Sequence, residues 1–264
     1  MIKQVALRDV IEALGGDWDF FASEVATPLN GPSKDYCKRY KSGDRGAAFQ
    51  LLKGLAKHGI WGEDAVALFL TEAETTGCSG LYLDHPNDWA GPANTVIGNT
   101  EIGYLASLMT PPDARVISFG SGYGTDVMAA VKLGKSHGVC VDRDSRKLAT
   151  ARRLASSVGI DEKRIRYEPK KFQRYVESAE LTPEDTCLAL CPHKIEDEME
   201  GYLERTPSQY LLLHCNCDPG RIKKHKGSAK RLGSGPHTVY STFIQNEVKG
   251  RYPVLIRLRD SAVF

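Results

Sequence analysis

The sequence predicts an α/β fold: a doubly wound, seven-stranded, mostly parallel sheet with a terminal antiparallel hairpin, preceded by a helical N-terminal region. Three observations predict it. Short apolar runs alternate with helical patterns through residues 115–214, as in successive βαβ units. The first run, VISF, passes into three glycines at alternate positions, Gly120, Gly122 and Gly124, and then into a helix. The last two apolar runs are separated only by the turn-like KGRYP, and strands that close together pair antiparallel.

The elements follow in order. Residues 2–14 carry apolar side chains at helical spacing and stop at Gly15-Gly16. Residues 47–55 and 64–74 repeat the logic, each closed by a glycine shortly after. The stretch CSGLYLDHPNDWAGPANTVIGN, residues 78–99, is rich in Gly, Pro, Asn and Asp and reads as a long loop. Within it NTVIGNTE reads as a loop that caps the next helix through Asn99 or Thr100. A helix is expected over 100–109, ended by Pro111-Pro112. Strands are then expected at 115–119, 137–141, 164–168, 186–190 and 209–214, with helices at 126–133, 145–158, 172–179 and 195–204 between them. Strands at 238–246 and 254–259 complete the sheet. The domain boundary falls near residue 90: a helical region over 1–90, then the sheet domain over 91–264.

Composition narrows the classes. A chain of 264 residues can bury a substantial core. With 41% hydrophobic and 26% charged residues it is not a disordered chain. No apolar stretch reaches the roughly 18 residues of a membrane span. The start, MIKQVALRDVIEALGGD, lacks the apolar core of a signal peptide, so a cytoplasmic location is expected. The net charge of +2 confines any attraction for an acidic partner to local patches. Seven cysteines, an odd number, fit reduced thiols better than a disulfide framework.

In a doubly wound sheet the ligand lies at the carboxyl ends of the strands, where strand order reverses. The glycine loop stands there. Its spacing, G-x-G-x-G, differs from the dinucleotide fingerprint G-x-G-x-x-G, with Thr125 at the position of the third glycine. The second strand, GVCVD, ends in Asp142, and an acid at that place can accept from both hydroxyls of a ribose.

Strand, G-x-G-x-G, helix, strand ending in Asp and a terminal hairpin together resemble the class I S-adenosylmethionine-dependent methyltransferases. The resemblance covers roughly residues 100–259. It implies that S-adenosylmethionine is the cofactor. Gly120, Ser121, Gly122, Tyr123 and Gly124 would line its methionine and ribose side. Asp142, with Arg143 beside it, would bind the ribose. Phe172 would flank the adenine, and Cys191 would face the transferable methyl. The chain departs from the family at two places. Ser118 stands where the family carries an acid before the first glycine, and Lys170-Lys171-Phe172 stands where it carries one after the third strand.

Methyl transfer from a sulfonium asks mainly for positioning and, for some acceptors, for a proton acceptor. His193, after the fourth strand, is the candidate base, and Tyr123 is a candidate wall of the methyl site. Cys191, His193, His214, Cys215 and Cys217 converge in such a sheet, but they lack the paired C-x-x-C knuckles of structural zinc, and no metal is expected. The run 218–237 gathers Arg221, Lys223, Lys224, Lys226, Lys230 and Arg231, a candidate clamp for an anionic acceptor, nucleic acid or an acidic protein surface. No membrane partner is expected. Two other readings stay open: an aminocarboxypropyl transferase similar to nicotianamine synthase, and a non-catalytic binding subunit that keeps the fold.

Overall fold

The structure, a computed structural model, describes residues 7–25, 61, 92–190, 196–203, 205–213, 237–242 and 252–257. The helices expected at 47–55 and 64–74 lie outside these residues. So do Cys191, His193, His214, Cys215, Cys217 and residues 218–236 of the basic run.

The chain begins with α1 (Leu7–Ala13) and the short α2 (Trp18–Phe20), which continues as a π turn at Phe21–Val25. Asp17 caps α2, its carboxylate accepting from the amides of Asp19 and Phe20. Then come α3 (Pro92–Met109), β1 (Arg115–Phe119), α4 (Thr125–Leu133), β2 (His137–Val141) and α5 (Ser145–Ser157). A turn of 3-10 helix leads into β3 (Ile165–Glu168), followed by α6 (Phe172–Ser178), β4 (Thr186–Leu190), α7 (Glu196–Leu203) and β5 (Gln209–Leu213).

These five strands form a parallel, Rossmann-like sheet in the order β3-β2-β1-β4-β5. Two further strands, β6 (His237–Thr242) and β7 (Tyr252–Arg257), pair antiparallel with each other, and β7 pairs antiparallel with β5. The segment joining β6 to β7 is outside the described residues.

Alternation along the strands builds two cores. Val116, Cys140, Leu188 and Leu211 point to one face, where Ile102 of α3, Val127 and Met128 of α4 and Leu148 of α5 cover them. Ile117, Phe119, Val139, Val141, Cys187, Ala189 and Tyr210 point to the other, under Phe172 and Tyr175 of α6 and Met199 and Leu203 of α7. Helices therefore cover both faces, as the βαβ alternation predicts. At the amino edge, Arg115 grips the buried Asp185 with its Nε at 2.9 Å and its backbone amide at 3.1 Å, tying β1 to the start of β4.

One expectation is corrected. Residues 92–99 are not a loop; α3 begins at Pro92, and NTVIGNTE is helical. Proline is well placed at the first position of a helix, where no amide partner is lost. From Thr100 to Ala106 this helix is buried all round, between the sheet, α4 and the N-terminal segment, whose Val10, Ile11, Phe21 and Val25 belong to the same core. A helix enclosed on every side tolerates the small residues that otherwise mark turns.

Candidate functional site

Strand order reverses at β1, whose neighbours β2 and β4 lead to opposite halves of the sheet. The helices after β1 and β4 leave to opposite faces, so the crevice beyond the carboxyl ends of β1 and β4 is where this architecture holds ligands. The glycine loop fills the floor of that crevice.

Gly120, Gly122 and Gly124 all take positive φ, +66°, +54° and +67°. Only glycine takes these values without strain. Their surroundings differ. Among the described residues, a Cβ on Gly120 or Gly122 would meet no atom within 4 Å, so on that side the described structure leaves the loop open. A Cβ on Gly124 would stand 2.6 Å from Cys140 Sγ, so this glycine serves the packing of α4 on β2. The Gly120 amide donates to the Val141 carbonyl at 2.8 Å, which pins the loop to the end of β2.

Asp142 completes the floor. Its Oδ2 accepts from the Gly122 amide at 2.9 Å, and its Oδ1 accepts from the Asp144 amide at 2.8 Å. Each carboxylate oxygen has room for a second donor. The structure thus brings together Gly120, Ser121, Gly122, Gly124 and Asp142. Arg143 is exposed beside them. Tyr123 is buried in the core shared with α3 and α4. Phe172 is buried in the opposite core, edge-on to Tyr202 with ring centroids 5.4 Å apart.

Two acids that the sequence reading did not single out lie at this site. Asp126, in the first turn of α4, is fully buried and accepts from Ser118 Oγ at 2.5 Å and from the Val127 amide at 2.8 Å. Burial pushes its carboxyl up to about 6, and the hydrogen bonds from Ser118 and Val127 work against that rise. A serine in place of an expected acid, eight residues before an aspartate, is the signal that could have found it. Glu168 ends β3, buried, and pairs with Arg166 and with Lys170 Nζ, the latter at 3.0 Å. Burial raises its carboxyl, but the hydrogen bonds from Lys170 and Arg166 outweigh it and hold the group below the usual range. Glu168 is the last residue of β3, two residues before the Lys170-Lys171-Phe172 run.

Among the described residues no group of three or more His, Cys, Asp and Glu side chains could hold a metal. Nor is any described helix long and apolar enough to cross a membrane.

No family model matches the chain, and no curated protein matches it. Solved structures resemble it in fold. TrmK of M. capricolum, in complex with its cofactor product S-adenosylhomocysteine, is 13% identical with a TM-score of 0.41. That match covers 58% of this chain and 65% of TrmK, just under two thirds of its length. An rRNA methylase from Streptococcus thermophilus is 14% identical over 62% of this chain and 96% of its own, with a TM-score of 0.43. A ribosomal protein L11 methylase from Lactobacillus delbrueckii subsp. bulgaricus is 15% identical over 61% and 77%, again with a TM-score of 0.43. In fold, the chain is similar to S-adenosylmethionine-dependent methyltransferases.

Proposed function

We propose that the chain is an S-adenosylmethionine-dependent methyltransferase that acts on an anionic acceptor, nucleic acid or protein. One observation carries this reading. A left-handed glycine loop, open above Gly120 and Gly122, is locked by its Gly122 amide to Asp142 at the end of the next strand.

The residues fit the cofactor. Open space above Gly120 and Gly122 admits a ligand to within contact of bare backbone. The second lone pairs on the Asp142 oxygens suit two adjacent ribose hydroxyls, which a carboxylate accepts together. Bound there, S-adenosylmethionine supplies a methyl group on a sulfonium, open to in-line displacement. The chain's part is to hold both reactants in line and keep water out. His193 would serve as the base for an acceptor that must lose a proton, with Tyr123 and Cys191 near the methyl, Arg143 by the ribose and Phe172 by the adenine. Arg221, Lys223, Lys224, Lys226, Lys230 and Arg231 would grip the acceptor's negative charge. In this reading the sheet is the full seven-stranded one of the family with its terminal hairpin. The N-terminal region, 1–90, would shape the acceptor side of the domain formed by 91–264.

Calorimetric titration with S-adenosylmethionine, S-adenosylhomocysteine and NAD, repeated on Asp142→Ala, tests the reading. The sulfonium cofactor and its product should bind in an Asp142-dependent manner and NAD should not. A folded protein that binds neither cofactor form would overturn it. After turnover, S-adenosylhomocysteine as product marks methyl transfer, whereas methylthioadenosine marks aminocarboxypropyl transfer.

A further inference from the structure

One buried acid stands apart from the cofactor floor. Glu101 of α3 is 1% exposed, and among the described residues neither of its carboxylate oxygens has a hydrogen-bond partner. A carboxylate withdrawn from water without a partner is strongly unfavourable, and its burial pushes the acid well above the usual carboxylate range.

Its height in the fold follows from helix contacts. α3 and α4 run side by side in the same direction. A Cβ on Gly103 would stand 2.5 Å from the Asp126 carbonyl and 2.6 Å from Ala129 Cβ, while one on Gly134 would stand 3.1 Å from Ser107 Cβ. Both helices descend toward the amino edge of the sheet, where Thr110 Oγ1 meets Thr186 Oγ1 at 2.8 Å. Glu101 precedes Gly103 by two residues, about 3 Å along the axis, which sets it level with the start of α4 and the glycine loop.

Its direction follows from helix geometry. Two residues turn the side chain through about 200°, away from α4. Glu101 shares its stripe of α3 with Tyr104 and Leu108, three and seven residues on. The N-terminal segment covers that stripe. The Asp17 amide donates to Tyr104 Oη at 3.2 Å, and the Tyr104 ring lies 5.6 Å from that of Phe21 and 5.9 Å from that of Phe20. Above it, the Trp61 indole donates to Thr100 Oγ1 at 2.8 Å. By helix geometry Glu101 therefore faces the seam between α3 and the N-terminal segment, at loop height, on the stripe that Tyr104 shares.

We propose that this seam is the acceptor's docking point and that Glu101 receives an alkylammonium group, so that the acceptor presents an amine. A buried carboxylate without a partner recognises such a group through a charge-assisted hydrogen bond, and it can take the ammonium's proton so that the nitrogen lone pair is free. The arriving cation would provide the partner that Glu101 lacks. The docking role rests on the methyltransferase reading; the amine site itself does not.

The test uses the full chain and two probes, n-butylammonium and its neutral analogue n-butanol, titrated calorimetrically with S-adenosylhomocysteine run separately. Butylammonium should bind about tenfold or more tightly than butanol. Glu101→Gln should remove that preference while leaving S-adenosylhomocysteine affinity intact and the melting temperature equal or higher. Glu101→Leu, which fills the site with an apolar group, should behave alike. Equal binding of the two probes, no binding of either, or undiminished butylammonium binding in both variants would overturn the amine site. If butylammonium binds as expected but wild-type protein binds no S-adenosylhomocysteine, the amine site stands and its role as methyl-acceptor dock falls.

Discussion

Ser118 Oγ donates to Asp126 Oδ2 at 2.5 Å, across eight residues of chain, beneath the glycine loop. The contact joins the last turn of β1 to the first turn of α4 through two side chains, both 1% exposed. Here a serine of the strand holds a carboxylate that the helix supplies.

This buried acid makes folding pH-dependent in a defined window. The Asp126 carboxyl is raised from 3.8 to about 6, so the native state holds its proton after the unfolded chain has lost it. Native stability therefore falls as pH rises from about 4 to about 6, and the loss is complete above that range. The full difference is about 3 kcal/mol. Asp126→Asn cannot titrate. Relative to wild type it should gain up to that amount between pH 4 and pH 7, less whatever its altered hydrogen bonds lose. Urea midpoints of both proteins across the range measure this directly, and parallel curves would refute it.

Ser118→Ala removes the hydroxyl and leaves Asp126 Oδ2 buried with no side-chain donor. Loss of stability by about 1–3 kcal/mol is expected at neutral pH. The loss should shrink at acid pH, where Asp126 is protonated and needs the hydroxyl less. A chemical denaturation series at pH 4.5 and pH 7.5 separates this from a uniform loss of packing.

The loop glycines should divide into two kinds. Gly124→Ala places a Cβ 2.6 Å from Cys140 Sγ on a backbone with φ of +67°. Strain and overpacking each contribute about 1–3 kcal/mol, so this variant should melt much lower. Gly122→Ala carries the strain alone, about 1–2 kcal/mol, because its Cβ would meet no atom of the described residues within 4 Å. That space is the one assigned to the cofactor, so Gly122→Ala should keep the fold and lose S-adenosylhomocysteine affinity. Thermal denaturation and calorimetry on the two variants give opposite rankings if the loop is a binding floor, and the same ranking if it is only a turn.

Asp142→Asn examines the lock itself. The two Asp142 oxygens accept from two backbone amides, Gly122 and Asp144. An asparagine offers one oxygen and one NH2, so one amide would face another donor. Charge-assisted bonds of this type contribute about 1.5–3 kcal/mol, which corresponds to a loss of about 10- to 150-fold in cofactor affinity. Calorimetric titration of the variant, with its melting curve as control, reads the effect. Unchanged affinity would mean that Asp142 only shapes the loop.

Much of the sheet was legible because burial is written into strand alternation. Val116, Ile117 and Phe119, and Cys187, Leu188 and Ala189, are apolar on both faces, as strands covered by helices must be. Asp142 was legible because it ends an apolar run. The start of α3 was not. Its Pro92, Asn94, Gly98 and Asn99 read as turn residues, and the helix begins at Pro92 against their local preference. Asp126 and Glu101 were hidden for a related reason. Each sits within a helix, where an acid ordinarily faces solvent, and nothing local shows that both are enclosed.

Gly103 links that enclosed helix to the site. On propensity alone, Gly103→Ala should stabilise a helix interior by about 1 kcal/mol. The new Cβ would meet the Asp126 carbonyl at 2.5 Å, Ala129 Cβ at 2.6 Å and the Ala130 amide at 3.0 Å. Two of these neighbours are backbone and cannot rotate aside, so overpacking of about 1–3 kcal/mol should prevail. Relief requires α3 and α4 to part where Asp126 bonds Ser118 and where the glycine loop enters α4. The variant should therefore lose both melting temperature and S-adenosylhomocysteine affinity, although residue 103 lies outside the cofactor floor. Thermal denaturation and calorimetry on the same preparation test the linkage, and a stabilised variant with unchanged affinity would show that the two helices can separate without moving the loop.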